Sequence, residues 1–211
     1  MKRRVAIVSS CCPPLPGHPV TGGGLRTAQL IETVRDAGHT PVLLLEAGAI
    51  PEGVPAAISR AAFVREELPA RLKKLRPSII VVEQWALVSS LGQTNRPLVI
   101  DLHGSLLLEN VYRRGEADLV LDAGAKLASL RRADLLLTPS PSQLHHFGAW
   151  ATLAGFDPRS LPLELLPLAL PDSPPPTRRK KKPALHLVYG GARWPWIDSL
   201  DALRAVADTV A

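Results

Sequence analysis

The opening segment decides the fold. Residues 5–10 (VAIVSS) form a short apolar run, residues 22–24 (GGG) close the loop behind it, and residues 25–37 have a helical pattern. Gly38 follows as a C-terminal cap, and four apolar side chains share one helical face: Leu25, Ala28, Ile31 and Val34. An apolar run of this kind before an amphipathic helix is typical of a parallel strand buried on both faces. The segment therefore predicts the first half of a βαβ unit.

The same alternation of strands and helices continues to about residue 170. Short runs rich in Val, Ile and Leu predict five further strands, at residues 41–46, 78–83, 97–102, 134–138 and 163–168. Leucines at 68, 72 and 75 mark a second helix, Ser140 before Pro141 opens a third, and residues 109–132 are predicted to be helical in one or two pieces. We therefore expect an α/β fold over residues 1–170, a Rossmann-like parallel sheet with helices on both faces.

The composition changes after residue 170. Residues 171–183 are rich in proline and contain the basic run RRKKK, which predicts a stiff, exposed linker. One more unit follows in residues 184–211, with a strand at 184–189 and a helix at 199–210. Because a lone βα unit has no sheet to join, we interpret it as the start of an incomplete second domain.

Composition and charge place the chain among ordinary globular proteins. Of its 211 residues, 46% are hydrophobic and 21% are charged, and the formal charge is +6. Because residues 178–182 contribute five positive charges, the basicity is interpreted as one short run and not a face. Such a run favours a solvated linker first and an anionic membrane surface second, and we expect no nucleic-acid partner.

The N-terminal segment and the two cysteines give no sign of secretion or of a disulfide. The apolar run behind the basic N-terminus is too short for a signal peptide, which predicts a cytoplasmic protein with at most peripheral contact at the inner membrane surface. The adjacent Cys11 and Cys12 are expected to fill a loop without forming a disulfide.

The first candidate site is the glycine-rich loop. Gly22, Gly23 and Gly24 directly precede a helix, where free backbone N–H groups suit a phosphate or a sugar hydroxyl, although a flexible turn has the same pattern. No Gly-Lys-Ser/Thr ending occurs, so a Walker A loop is excluded. Glu46 lies where a ribose-binding acid would fall, but the glycines are too far from the first strand for a dinucleotide fingerprint.

The second candidate is His103, which follows a predicted central strand in Asp101-Leu102-His103-Gly104. Open parallel sheets bind ligands at this edge, where a histidine can contact a sugar or act as acid or base near neutral pH. A capped structural histidine is the alternative. Without a G-x-S-x-G elbow a hydrolase is not expected, and no motif or spacing predicts a metal site or a cofactor, the vicinal pair His145-His146 included.

The third candidate is Arg193, in the Gly-rich and Trp-rich stretch 190–196 (GGARWPW). Its guanidinium could pair with a phosphate, although packing of this stretch against the linker is the simpler interpretation.

Taken in order, these segments resemble family 4 of the glycosyltransferases, also called group 1. The similarity rests on the opening strand and glycine-rich loop, on the strand-end His103, and on three later segments, 133–140 (ADLLLTPS), 165–170 (LLPLAL) and 187–191 (LVYGG). Ala169 departs from the family pattern, which has Asn there, and the Lys expected shortly after Arg193 is absent.

The resemblance implies a GT-B fold and metal-independent transfer of a sugar, with retention, from a nucleotide-diphosphate sugar to a carbohydrate or lipid-linked acceptor. It implies that the diphosphate lies near Gly23 and Gly24 and that His103 contacts the transferred sugar. It also implies that a complementing C-terminal domain holds most of the donor, so that this chain alone is expected to be inactive. Two alternatives stay open: a non-catalytic binding or regulatory module with this fold, and an NAD-dependent oxidoreductase.

Overall fold

A computed structural model describes residues 2–114, 118–169 and 200–210. Seven parallel strands form one sheet in the order β3-β2-β1-β4-β5-β6-β7. The α/β class and the Rossmann-like parallel sheet predicted from the sequence are confirmed. The strands are β1 Arg4–Ser9, β2 Thr40–Glu46, β3 Ala62–Phe63, β4 Ile79–Glu83, β5 Leu98–Asp101, β6 Leu135–Thr138 and β7 Leu163–Leu165.

Helices connect the strands, with short 3-10 turns at Ala47–Ala49, Arg65–Glu67 and Trp85–Leu91. Crossovers between parallel strands are right-handed as a rule, and β2 and β4 lie on opposite sides of β1, so the helices that follow β1 and β4 are expected on opposite faces of the sheet. The α-helices are α1 Gly22–Asp36, α2 Ala56–Ala61, α3 Leu68–Leu75, α4 Leu106–Arg114, α5 Leu119–Leu130, α6 Pro141–Leu153 and α7 Leu200–Val210.

The central strand β1 is the most buried, since every residue from Val5 to Ser9 is shielded from solvent. Val5 and Ile7 pack with Leu30 of α1 and Val81 of β4 in one apolar cluster. Burial on both faces requires an apolar residue at each of these positions, which explains the continuous apolar run in the sequence.

The structure refines the predicted elements. The sheet has a seventh strand, β3, whose two residues gave no apolar run in the sequence. Residues 109–132 form parts of two helices, α4 and α5, which is one of the two arrangements expected. The predicted first helix, residues 25–37, starts three residues earlier, because Gly22 to Gly24 form its first turn.

The chain divides into two compact units. The first comprises Met1–Gly104 and Val120–Leu170 and contains the whole sheet. The described helices of the second unit are α4 and α7. The linker 171–183 and the strand predicted at 184–189 lie outside the described residues, so the predicted domain division stays a prediction.

Candidate functional site

The candidate site lies at the carboxyl edge of the sheet, where its winding reverses. β2 lies on one side of β1 and β4 on the other, so the chain leaves this point in opposite directions. Open α/β sheets bind ligands in the crevice outside such a switch point. Three chain segments meet there: the loop after β1, the end of β4, and the end of β5.

Two carboxylates end neighbouring strands in this crevice. Glu83 closes β4 and Asp101 closes β5, and the two are partners in the parallel register. Both are fully shielded from solvent. Like charges on directly opposed residues destabilise a sheet, so the site needs cations nearby.

Arg26 of α1 supplies the first cation. Its Nε donates to Asp101 Oδ2 at 2.9 Å and its Nη2 to Asp101 Oδ1 at 2.7 Å, and the arginine is only 1% exposed. Burial alone would raise the pKa of Asp101, but hydrogen bonds from His103 and Arg26 and their charges hold it below its usual range. The remaining Nη1 donates to the carbonyl of Leu166 at 2.6 Å, which ties the segment after β7 to α1.

His103 is the second cation. Its Nδ1 lies 3.3 Å from Asp101 Oδ2 and its Nε2 lies 3.4 Å from Glu83 Oε1. Burial would lower the pKa of His103, but hydrogen bonds to Asp101 and Cys11 and the charges of both carboxylates raise it to about 10. A pKa raised in this way favours the protonated imidazole, a cation held between two carboxylates, over the acid or base near neutral pH that the sequence also allowed.

Glu83 is held by hydroxyl groups. Its Oε2 accepts hydrogen bonds from Ser9 Oγ and from Thr27 Oγ1, the latter at 2.6 Å. Burial raises the pKa of the Glu83 carboxyl, and the His103 charge and the two hydroxyls offset this only in part. Its other oxygen, Oε1, accepts no hydrogen bond from the described residues.

The glycines form the first turn of α1, not a loop in front of it. Thr21 is the N-cap, and its Oγ1 accepts from the amide of Gly24 at 3.0 Å. The amide of Leu25 donates to the Thr21 carbonyl. The amides of Gly22 and Gly23 have no acceptor among the described residues, so two donors at the positive end of the helix dipole stay available.

Gly23 is also required for packing. A Cβ there would lie 2.4 Å from Cys11 Sγ and 3.2 Å from Glu83 Oε1, whereas a Cβ on Gly22 would meet nothing. Gly24 cannot carry a side chain either, because a Cβ there would lie 2.3 Å from the carbonyl oxygen of Cys12. The glycines thus let the helix approach the loop after β1, and Cys11 is more than a loop filler because it also contacts His103.

Gln84 joins the carboxylate pair to His103 through an unusual backbone. Its φ is 77°, a value that non-glycine residues seldom adopt. The conformation lets the Gln84 amide donate to the Asp101 carbonyl at 3.0 Å and its side chain donate to the carbonyl of His103. Strained backbone of this kind clusters at functional sites.

Only some of the residues predicted to form a site lie together in the structure. His103 and Gly23 are brought together through Cys11 and Glu83, while Arg193 lies outside the described residues. Glu46 pairs with Arg65 at 2.6 Å, and His145 and His146 lie exposed on α6. In the described ranges, no three histidine, cysteine or acidic side chains are arranged to hold a metal ion. No described helix has the length and apolar character to span a bilayer.

Sequence reasoning missed Arg26, Glu83 and Gln84. The only signal for Glu83 was a charged residue closing an apolar run, as Asp101 does on the next strand. Arg26 gave no signal, since an arginine next to an amphipathic face is ordinary.

Comparisons with known proteins show remote similarity to solved structures only. No protein-family model matches the chain, and no curated protein sequence matches it. Among solved structures, it is similar to the crystal structure of Glycyrrhiza uralensis UGT73P12 complexed with glycyrrhetinic acid 3-O-monoglucuronide, at 9% sequence identity and a TM-score of 0.41. The match covers 74% of this chain and 47% of that protein, so the chain spans about half its length.

Proposed function

We propose that the chain is the acceptor-side, N-terminal part of a GT-B glycosyltransferase resembling family 4, which transfers a sugar from a nucleotide-diphosphate donor. The observation that supports this most directly is the position of His103, which lies at the switch point between two carboxylates and contacts Cys11, the side chain packed against the first turn of α1. A cation beside free helix N-terminal amides is the arrangement that an anionic leaving group needs.

The nucleoside diphosphate is the group that gains negative charge when the bond to the sugar breaks. The unpaired amides of Gly22 and Gly23 and the positive end of the α1 dipole favour an anion at this point. His103 adds a full positive charge that its two carboxylate neighbours maintain. Because these groups are fixed before the ligand arrives, they stabilise the developing charge with little reorganisation.

In this proposal His103 contacts the transferred sugar or its phosphate through the positive charge of its ring and not as a base, since Nδ1 faces Asp101 and Nε2 faces Glu83. Glu83 Oε1 accepts no hydrogen bond from the described residues, although His103 Nε2 lies 3.4 Å from it, so a bound group could donate the hydrogen bond that this buried oxygen lacks. A sugar hydroxyl fits that role. Retention, independence from metals and the identity of the family rest on the sequence resemblance.

The other groups that we propose for the donor site belong to residues outside the described ranges or to another domain. Arg193 is proposed to pair with the diphosphate, and a complementing C-terminal domain to hold the nucleotide. The acceptor is proposed to be a carbohydrate or a lipid-linked molecule at the carboxyl edge of the sheet.

Calorimetric titration of the chain, alone and completed by a C-terminal nucleotide-sugar domain, with uridine, guanosine and thymidine diphosphate sugars tests the proposal. We expect the completed protein to bind at least one of them saturably, weakened about tenfold by His103→Gln, since a contact with a charged group contributes on the order of 1.5–3 kcal/mol. The matched control is His145→Gln, which changes an exposed histidine far from the switch point and should leave binding unchanged.

NADH is the contrasting ligand in the same titration. Binding of NADH without binding of any nucleotide sugar would contradict the transferase and favour the oxidoreductase. Binding of neither ligand would leave only the non-catalytic module. Equal affinity of the wild type and His103→Gln for the nucleotide sugar would show that His103 does not contribute to the site, although the sugar still binds.

A further inference from the structure

The opposite, amino edge of the sheet is basic. The segments that enter β1, β4 and β5, residues 2–4, 73–78 and 93–97, contain lysines and arginines and no acidic residue. Parallel strands bring these distant segments to one edge of the sheet. The interpretation of the basicity as a single run in 178–182 is therefore incomplete, since folding assembles a second concentration of positive charge.

A cavity of about 930 Å³ opens at this edge, between the C-terminal end of α3 and the loop that leads into β5. Its volume lies within the range of small-molecule pockets, roughly 300–1,000 Å³. Leu72, Ile80 and Leu91 give it an apolar floor, and these three side chains are buried.

Three cations line the same cavity: Lys73, Arg76 and Arg96. None of them makes an ion pair within the described ranges, and no acidic side chain lines the cavity. A cation in the last turn of a helix complements the helix dipole, which accounts for Lys73. It does not account for Arg96, which lies in a loop outside any helix.

Arg76 adds a conformational argument. It ends α3 with a φ of 49°, in the left-handed region that favours glycine at the end of a helix. An arginine there costs about 1–2 kcal/mol of backbone strain. The backbone requirement of the turn therefore does not explain this residue, whereas its place in the lining of the cavity does.

We propose that this cavity binds the phosphate group of a phosphate monoester, with the organic part of the ligand against the apolar floor. Two guanidinium groups can each form paired hydrogen bonds with phosphate oxygens, and Lys73 adds a point charge. The site is distinct from the switch-point crevice because it lies at the other edge of the sheet. It does not depend on the glycosyltransferase proposal.

Phenyl phosphate is the probe, followed by calorimetry and by the NMR signals of the side-chain amides of Gln93 and Asn95, which line the cavity. We expect saturable binding that is tighter than that of benzoate, which has the same ring and a single negative charge. Lys73→Gln and Arg96→Gln should each weaken phenyl phosphate about tenfold. Shifts of the Gln93 and Asn95 signals should place the ligand in the cavity.

Lys74→Gln is the matched control. Lys74 is the exposed neighbour of Lys73 in the same helical turn, and its replacement changes the net charge equally, but it does not line the cavity. Equal weakening by both lysine changes would mean general charge attraction and would overturn the proposal. So would binding that leaves the Gln93 and Asn95 signals unmoved.

Vesicles containing phosphatidate, compared with pure phosphatidylcholine vesicles, separate the two sources of a phosphate monoester. Binding of phenyl phosphate in solution supports a soluble ligand. Binding to phosphatidate vesicles alone, with the same dependence on Lys73 and Arg96, supports a lipid headgroup. Failure of both probes to bind would refute the site.

Discussion

Arg26 and Asp101 form a buried ion pair with two parallel hydrogen bonds, which joins the first helix to the carboxyl end of β5 across 75 positions of sequence. The pair is 1% and 0% exposed on its two sides. Removing one member of such a pair leaves an uncompensated charge in the interior, which costs much more than the pair contributes to folding. Replacement of Arg26 is therefore expected to destabilise the whole site.

Arg26→Met is expected to lower the free energy of unfolding by about 3–5 kcal/mol, because Asp101 would remain buried with only His103 to balance it. Urea unfolding followed by circular dichroism measures this. Arg35→Met on the same helix is the control, since Arg35 is exposed and its replacement should stay within about 0.5 kcal/mol. A loss from Arg26→Met no larger than that from Arg35→Met would show that the pair is not buried as described.

The glycine turn gives a second prediction about stability. Gly23→Ala would place a methyl group 2.4 Å from Cys11 Sγ, so we expect a loss of about 1–3 kcal/mol in the free energy of unfolding. Gly22→Ala meets open space and should be neutral or slightly stabilising, since alanine favours helix. Thermal unfolding of both variants makes the comparison. Similar melting temperatures for the two would contradict the packing of Cys11 against the turn.

Most of the sheet follows from the sequence, for a physical reason. Strands buried on both faces must be apolar throughout, so β1 and β4 stand out as unbroken runs of Val and Ile. The edge strand β3 has two residues, Ala62 and Phe63, and so short a pairing leaves no pattern. The start of α1 was misplaced because three glycines have low helix propensity, whereas the Thr21 cap stabilises a helix that begins there.

The site could be predicted only in part. His103 was found because its position after a strand places it at the binding edge. Its protonation was not, because it depends on Glu83 and Asp101 being register partners in neighbouring strands, and that register is a tertiary property. The contacts of Arg26 could not be predicted either, because they join residues that are far apart in the sequence.

The charge state of His103 predicts a pH dependence of stability. The folded pKa of about 10 lies above the ordinary value of 6.5, so the contribution of this group is fully present below pH 6.5 and is lost as the pH rises towards 10. Wild type should therefore exceed His103→Gln in unfolding free energy most at pH 6, and the difference should shrink by pH 10. His145→Gln should show no such trend. An imidazole that NMR finds titrating near pH 6.5 would refute the fixed cation.

Lys126 of α5 should show the opposite dependence. The side chain is 1% exposed, and its ammonium lies 5.0 Å from the ring centroid of Phe147 and 4.1 Å from that of Trp150. Burial lowers the pKa of Lys126 to about 8, from an ordinary value of 10.5. The unfolded chain therefore binds more protons between these values, and the cost of burying the charge, full below pH 8, is relieved as the pH rises.

Lys126→Met should accordingly gain more unfolding free energy relative to wild type at pH 7 than at pH 10, as measured by urea unfolding at both pH values. The aromatic contacts reduce the gain at pH 7, where the ammonium is charged. The exposed Lys74→Met serves as the control and should show the same difference at both. A second measurement is independent of stability: burial and the Lys126 charge lower the pKa of His146, so Lys126→Met should raise the pKa of His146 in an NMR titration. An unchanged His146 titration would mean that Lys126 does not point towards α6.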